Sequence, residues 1–364
     1  MNNMTFLWIV WGLLLIMYGI MPQMTQKTIA FGARIPATQR QNPFLRTVLW
    51  GYWIGEAVAA ALMLIIMALI HPVLGPAGRS LMLILLTMGL LTLNYWVART
   101  RVIRRKSQEG WYENQNQASA AVPNSPEIAA RGWWWWELTS WAIIIALAVE
   151  GIIRYPEIAN RIPTHFNIQG VANAWANKSV LAVFSVLGIA AGVLLLFTGL
   201  GWFVIRRARP DLDPGDAKGT ALQSAVYRRR MLHVLGVLAV AVTATEALAA
   251  LSMWGVITHP SPLLFTAPVT LAVIVVFVIA LKTGQEGSNV PIPPKDRPQG
   301  RAPVHRDDDQ YWKAGLFYYN ADDPKLFVDK RFGVGWTLNF ARPGVWVIAV
   351  VILAVAIVPV LMRG

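Results

Sequence analysis

The sequence predicts an all-α membrane protein. The expected architecture is a bundle of about eight transmembrane helices, with a short extracytoplasmic loop cap and a small cytoplasmic β-hairpin-like module. Three observations carry this. The 364 residues are 55% hydrophobic and only 14% charged, with a mean hydropathy of +0.47, whereas soluble domains carry about a quarter charged residues. Apolar runs long enough to cross about 30 Å of hydrocarbon recur along the chain. The basic residues avoid those runs and gather in alternate loops.

The runs fall near 4–21, 48–70, 80–98, 133–153, 179–205, 231–257, 263–281 and 344–362, and none contains Lys or Arg. The first, in MNNMTFLWIVWGLLLIMYGIM, has no basic region before it and no small-residue cleavage site, so it reads as a retained span. Loops 22–47, 99–132, 206–230 and 282–343 hold 27 of the 32 Lys and Arg residues; loops 71–79 and 154–178 and the C-terminal tail share the other five. Basic loops stay in the cytoplasm, so both termini are expected outside. The net charge of +13 then reflects this asymmetry, and nucleic acid is not an expected partner.

Within the runs, Gly51/Gly55 and Gly188/Gly192 form GxxxG patterns that permit close helix approach. Trp133–Trp136 reads as an interfacial aromatic belt. By domain, residues 1–281 are a seven-helix membrane domain carrying the outer loop 154–178. Residues 282–306 are a proline-rich tether, 307–343 a small cytoplasmic module and 344–364 the last helix. Polar residues 107–130 read as a flexible linker. In the module, GVG between LFVDKRF and WTLNF predicts a short hairpin. The acidic runs Asp307–Asp309 and Asp322–Asp323 fit no calcium loop and read as a solvated face. The basic clusters Arg104–Lys106 and Arg228–Arg230 read as headgroup anchors.

The outer loop contains YPEIANRIPTHFNIQGVANAWANKS (Tyr155–Ser179). Pro163, His165, Phe166, Asn167, Gly170, Trp175 and Lys178 match a P-x-H-[FW]-N signature followed by a glycine, an aromatic and a lysine. In these residues the chain resembles a bacterial membrane family of unknown function that includes immunity and signalling proteins of the sporulation-delay toxin system. Asn173 stands where that family usually has an acidic residue. Asp308–Phe340, with Trp312, Gly315, Asp323, Pro324, Gly333, Gly335 and Trp336, is similar to a second uncharacterised module found at the C-terminus of such proteins. The resemblance implies location in the bacterial cytoplasmic membrane and, for some relatives, toxin immunity or ligand sensing.

Catalytic chemistry finds no support. HExxH, GxSxG, Walker-A and GxGxxG patterns are missing from the sequence. The chain has no cysteine, which removes disulfides and thiol chemistry. No enzyme activity, cofactor or metal is expected, although His71, His165 and His259 at the outer face, with Glu150 or Glu157, are the residues a metal would use. The candidate ligand-binding residues are His165, Asn167, Trp175, Lys178, Glu150 and Glu246. A charged carboxylate at a helix centre costs about 2.5–3.5 kcal/mol. Glu246 is therefore expected to be neutral and hydrogen-bonded, to Thr243, Thr245 or another helix, or to hold a proton or cation in a polar cavity. The expected function is sensing of, or immunity to, an extracytoplasmic ligand such as a peptide toxin. Ion-coupled transport and an accessory role beside a membrane protein partner are the alternatives. The lipid bilayer is the constant partner.

Overall fold

The computed structural model describes residues 3–70, 75–120, 132–166, 171–207, 210–258, 260–291, 304–347, 349–350 and 353. Helices α1 (Asn3–Met24), α2 (Pro43–Ile70), α3 (Pro76–Gln108), α4 (Trp134–Arg154), α5 (Val180–Arg207), α6 (Ala217–Met253) and α7 (Pro262–Thr283) are all long and apolar enough to cross a membrane. The chain is a multi-pass membrane protein. The eighth expected helix is helical at 343–347 and 349–350, and most of it lies outside the described residues.

The helices overrun the apolar runs. α3 carries the basic residues Arg99 to Lys106 in its last turns, and α6 begins at Ala217, before Arg228–Arg230. Both flanks lack proline and are rich in Arg, and Ala217, Ala221 and Ala225 support the start of α6 despite Gly219. The backbone therefore stays helical after its side chains turn polar.

Contacts divide the chain into two compact units. One holds residues 1–9, 127–208 and 225–282, and the other holds 10–126, 209–224 and 283–364. In the first, strands β4 (Arg161–Phe166) and β5 (Ala172–Asn177) form an antiparallel hairpin between α4 and α5, where the sequence reads simply as a loop. Ile158 and Ile162 sink from this segment into a core of Leu147, Val183, Leu187, Met253 and Trp254. The tryptophan run is divided. Trp134 and Trp135 are exposed and stacked at 4.0 Å, as an interfacial belt requires. Trp136 instead donates its indole N–H to His233 Nδ1 at 3.0 Å.

In the second unit, α2 and α3 lie against each other through Gly55, where a Cβ would collide with the Asn94 amide. Asn94 Nδ2 donates to the Tyr52 carbonyl at 2.8 Å. Gly188 and Gly192 meet no such neighbour, so only the first GxxxG pattern marks a close approach.

Short strands decorate this unit. β1 (Ile29–Ala30) and β2 (Ala33–Arg34) are joined by Phe31 and Gly32, both at positive φ, as a type I′ turn demands. β3 (Gln117–Ala118) pairs in parallel with β6 (Val304–His305), so part of the expected linker is tied down. β7 (Trp312–Lys313) pairs with β8 (Phe317–Tyr318), and β9 (Phe327–Asp329) with β10 (Trp336–Leu338) around the GVG turn. Gln285, fully buried just past α7, clasps that turn from both sides: its amide donates to the Gly335 carbonyl at 2.9 Å and accepts from the Gly335 N–H at 2.7 Å. Residues 292–303 of the expected tether lie outside the described residues.

The acidic run departs from expectation. Asp307, Asp308 and Asp309 do not face solvent together; they are gathered by cations from distant parts of the chain. Arg34 bonds Asp308 at 2.9 Å and Asp211 at 2.7 Å. Lys106 bonds Asp307 at 2.7 Å and Asp309 at 2.6 Å, so it is no headgroup anchor. Arg331, 1% exposed, pairs with both Asp308 and Asp309. Burial by itself would raise the pKa of Asp308, but the guanidinium groups of Arg34 and Arg331 outweigh it and hold the carboxyl below its usual range. Asp309 is lowered against the same desolvation by Arg331 and Lys106.

Candidate functional site

The β4–β5 hairpin grows from the C-terminal end of α4. The chain leaves that helix through a short 3-10 turn, Tyr155–Glu157. Lys178, at the far base, donates its ammonium to the Ile158 carbonyl at 2.8 Å and lies 4.8 Å from the centre of the Tyr155 ring. Its backbone N–H donates to the Asn160 carbonyl at 2.8 Å. These bonds close the base of the hairpin. Ile162, 1% exposed, anchors its middle in the core below.

Strand register puts Arg161 opposite Asn177 and Pro163 opposite Trp175. The register then slips between Pro163 and His165 and again before Phe166. Such an irregularity re-aims side chains, and beyond it Phe166 lines the same cleft as Arg161 and Pro163. The cleft is a half-open space of about 480 Å³ between the hairpin and the end of α6. Its walls include Phe166, Trp175, Met253 and Trp254. Phe166 stacks on Phe265 at 5.8 Å, and the Trp254 indole is fixed by a 3.1 Å bond to the Val183 carbonyl. Volume and lining suit a small apolar ligand or a few side chains of a larger one.

The candidate residues from the sequence do not converge on one point. Trp175 lines the cleft and is about half exposed. His165 lies across the hairpin, with its Nδ1 2.5 Å from Asn173 Oδ1. An amide oxygen only accepts, so Nδ1 carries the proton and donates. Asn173 thus supplies a neutral acceptor to this ring. Lys178 is committed to the base of the hairpin. Glu150 pairs with Arg154 on its own helix. Asn167 lies outside the described residues, as do His71 and His259. Among the described residues no His, Asp and Glu cluster could hold a metal ion.

Glu246 is half-buried on α6 and makes no hydrogen bond or ion pair among the described residues. The expected bond to Thr245 is not formed. That hydroxyl turns back to the Ala241 carbonyl at 3.1 Å and toward Phe265 O at 3.3 Å, the usual habit of a helical threonine.

Of the described candidates only Trp175 lines the cleft, and Arg161 and Trp254 are among the lining residues that sequence reading missed. Arg161 stands two residues before Pro163 of the signature and reads in the sequence only as one of the loop's three basic residues. Trp254 lies inside the apolar run 231–257, with no polar motif beside it to single it out.

Two known families match, each over a segment just described. A domain of unknown function (DUF1648) covers residues 142–189, which hold the end of α4, the hairpin and the start of α5. A family of unknown function (DUF5808) covers residues 321–346, from before β9 to the start of the last helical segment. With seven membrane-length helices, the chain fits an uncharacterised multi-pass membrane family. No curated protein and no solved structure matches the chain.

Proposed function

We propose that the protein is a non-enzymatic component of the bacterial cytoplasmic membrane that senses or neutralises an extracytoplasmic peptide at the β4–β5 hairpin. The observation that supports this best is the aromatic cleft of about 480 Å³ beneath the hairpin. It is built from the segment that carries the family signature, and it has apolar walls and an open mouth. The charge asymmetry supports an outward-facing hairpin, with the basic loops in the cytoplasm and both termini outside. The resemblance to sporulation-delay immunity proteins supplies the class of ligand.

The test is protection. A sensitive bacterial strain expressing the protein is challenged with the sporulation-delay toxin. The expected result is survival with the parent protein, and killing when Phe166→Ala and Trp175→Ala are combined at equal membrane abundance. Equal killing of parent-expressing and empty cells overturns the immunity reading. Ion-coupled transport centred on Glu246 would give that same unprotected result.

A further inference from the structure

The cleft walls are largely apolar, with Ser252 and Thr258 among them, but one cation also lines them. Arg161 lines the cleft with its guanidinium 6.0 Å from the centre of the Trp175 ring. Among the described residues it forms no ion pair, and Glu150, in the last turns of α4, is held by Arg154. The described residues therefore present a forked donor beside a largely apolar slot and supply no counter-ion for it. A guanidinium takes a carboxylate through two parallel hydrogen bonds, a match that a carboxamide cannot make.

The backbone adds a second constraint. β4 and β5 form a sheet of two strands, so each strand has one edge whose N–H and C=O groups no neighbouring strand takes. β5 contains no proline and keeps every donor along its edge. Extended peptides add to such edges, with main-chain bonds giving affinity and a side-chain pocket giving selectivity. A lipid acyl chain would fill the slot but make no use of the strand edge.

Resting on the peptide-binding reading above, we infer that the cleft takes the C-terminal end of a peptide. Arg161 holds the free carboxylate, and an aromatic or large aliphatic last side chain lies against Trp175 and Trp254. The specificity resides in the terminus: an internal segment offers the side chain but no terminal carboxylate.

The test uses purified protein in phosphatidylcholine nanodiscs and two soluble probes, N-acetyl-Leu-Leu-Phe as the free acid and as the amide. Calorimetry should show the acid binding about tenfold more tightly than the amide. Arg161→Gln should abolish that preference, Arg161→Lys should restore part of it, and Trp175→Ala should weaken both probes. Equal binding of acid and amide to the parent, or binding of neither, overturns the proposal. Loss of peptide binding in phosphatidylglycerol nanodiscs overturns it in favour of a lipid slot. Preference for the acid without toxin protection would leave this inference standing and remove the immunity reading; protection without the preference would do the reverse.

Discussion

The Arg331 side chain is almost wholly buried and still carries a full charge. Besides Asp308 and Asp309 it reaches the Gly32 carbonyl at 3.1 Å, and its guanidinium lies 4.8 Å from the Trp312 ring centre. Removing one partner of a buried ion pair costs about 3–5 kcal/mol, because the other charge stays buried. Arg331→Met should therefore lower the thermal midpoint clearly, and adding Asp308→Asn should recover part of the loss, a coupling that a double-mutant cycle reads directly. The sign with pH follows from the depressed carboxyls. Their stabilisation is complete above the unfolded value of about 3.9 and is lost as pH falls through their lower folded values. Arg331→Met should move that acid loss to higher pH. None of this was legible in sequence. Asp308 lies 274 positions from Arg34, and Asp307 lies 201 from Lys106. A run of aspartates looks the same whether solvent or a distant arginine neutralises it.

At the scale of elements, long helices were legible and short strands were not. Seven apolar runs fixed seven helices because hydrocarbon leaves the backbone no other way to satisfy itself. Helix ends shifted, since membrane hydropathy reports where lipid stops and not where the helix does. The β4–β5 hairpin escaped notice because Pro163 and the slipped register break the alternation that marks a strand. What holds it is Ile162, and truncating a buried isoleucine costs about 2–5 kcal/mol. Ile162→Ala should free the hairpin without disturbing the helices beneath. Trypsin reports this at Arg161. In nanodiscs the parent should yield little fragment ending there, and Ile162→Ala should yield it rapidly while circular dichroism keeps its helical signal. Equally slow cleavage of both would show that the base bonds of Lys178 suffice alone.

At the scale of the whole molecule, the ion pairs and short strands constrain topology independently of charge bias. Arg34 lies between α1 and α2, Lys106 at the end of α3, Asp211 between α5 and α6, and Asp308 after α7. Two helices separate each of these positions from the next, so residues that touch require an even number of crossings between them. The parallel pairing of β3 with β6 repeats the condition across α4 to α7. The segments joined this way are the basic-rich loops, which the charge rule places in the cytoplasm. Three helices, α5 to α7, separate β5 from the turn before β9 in the chain, so single crossings by all three predict opposite membrane faces for these two segments. The absence of native cysteine makes this directly testable. Single cysteines at Ala174, Ser119 and Asp322 all occupy exposed positions. Ser288 is a poor probe, being buried with its hydroxyl 3.4 Å from the Thr25 carbonyl. Impermeant maleimide on intact cells should label Ala174→Cys, and should reach Ser119→Cys and Asp322→Cys only after permeabilisation. The reverse pattern would keep the helix count and invert the protein, moving the aromatic cleft to the cytoplasm. Labelling of Ala174→Cys and Asp322→Cys from one side would mean that one of the three helices between them does not cross.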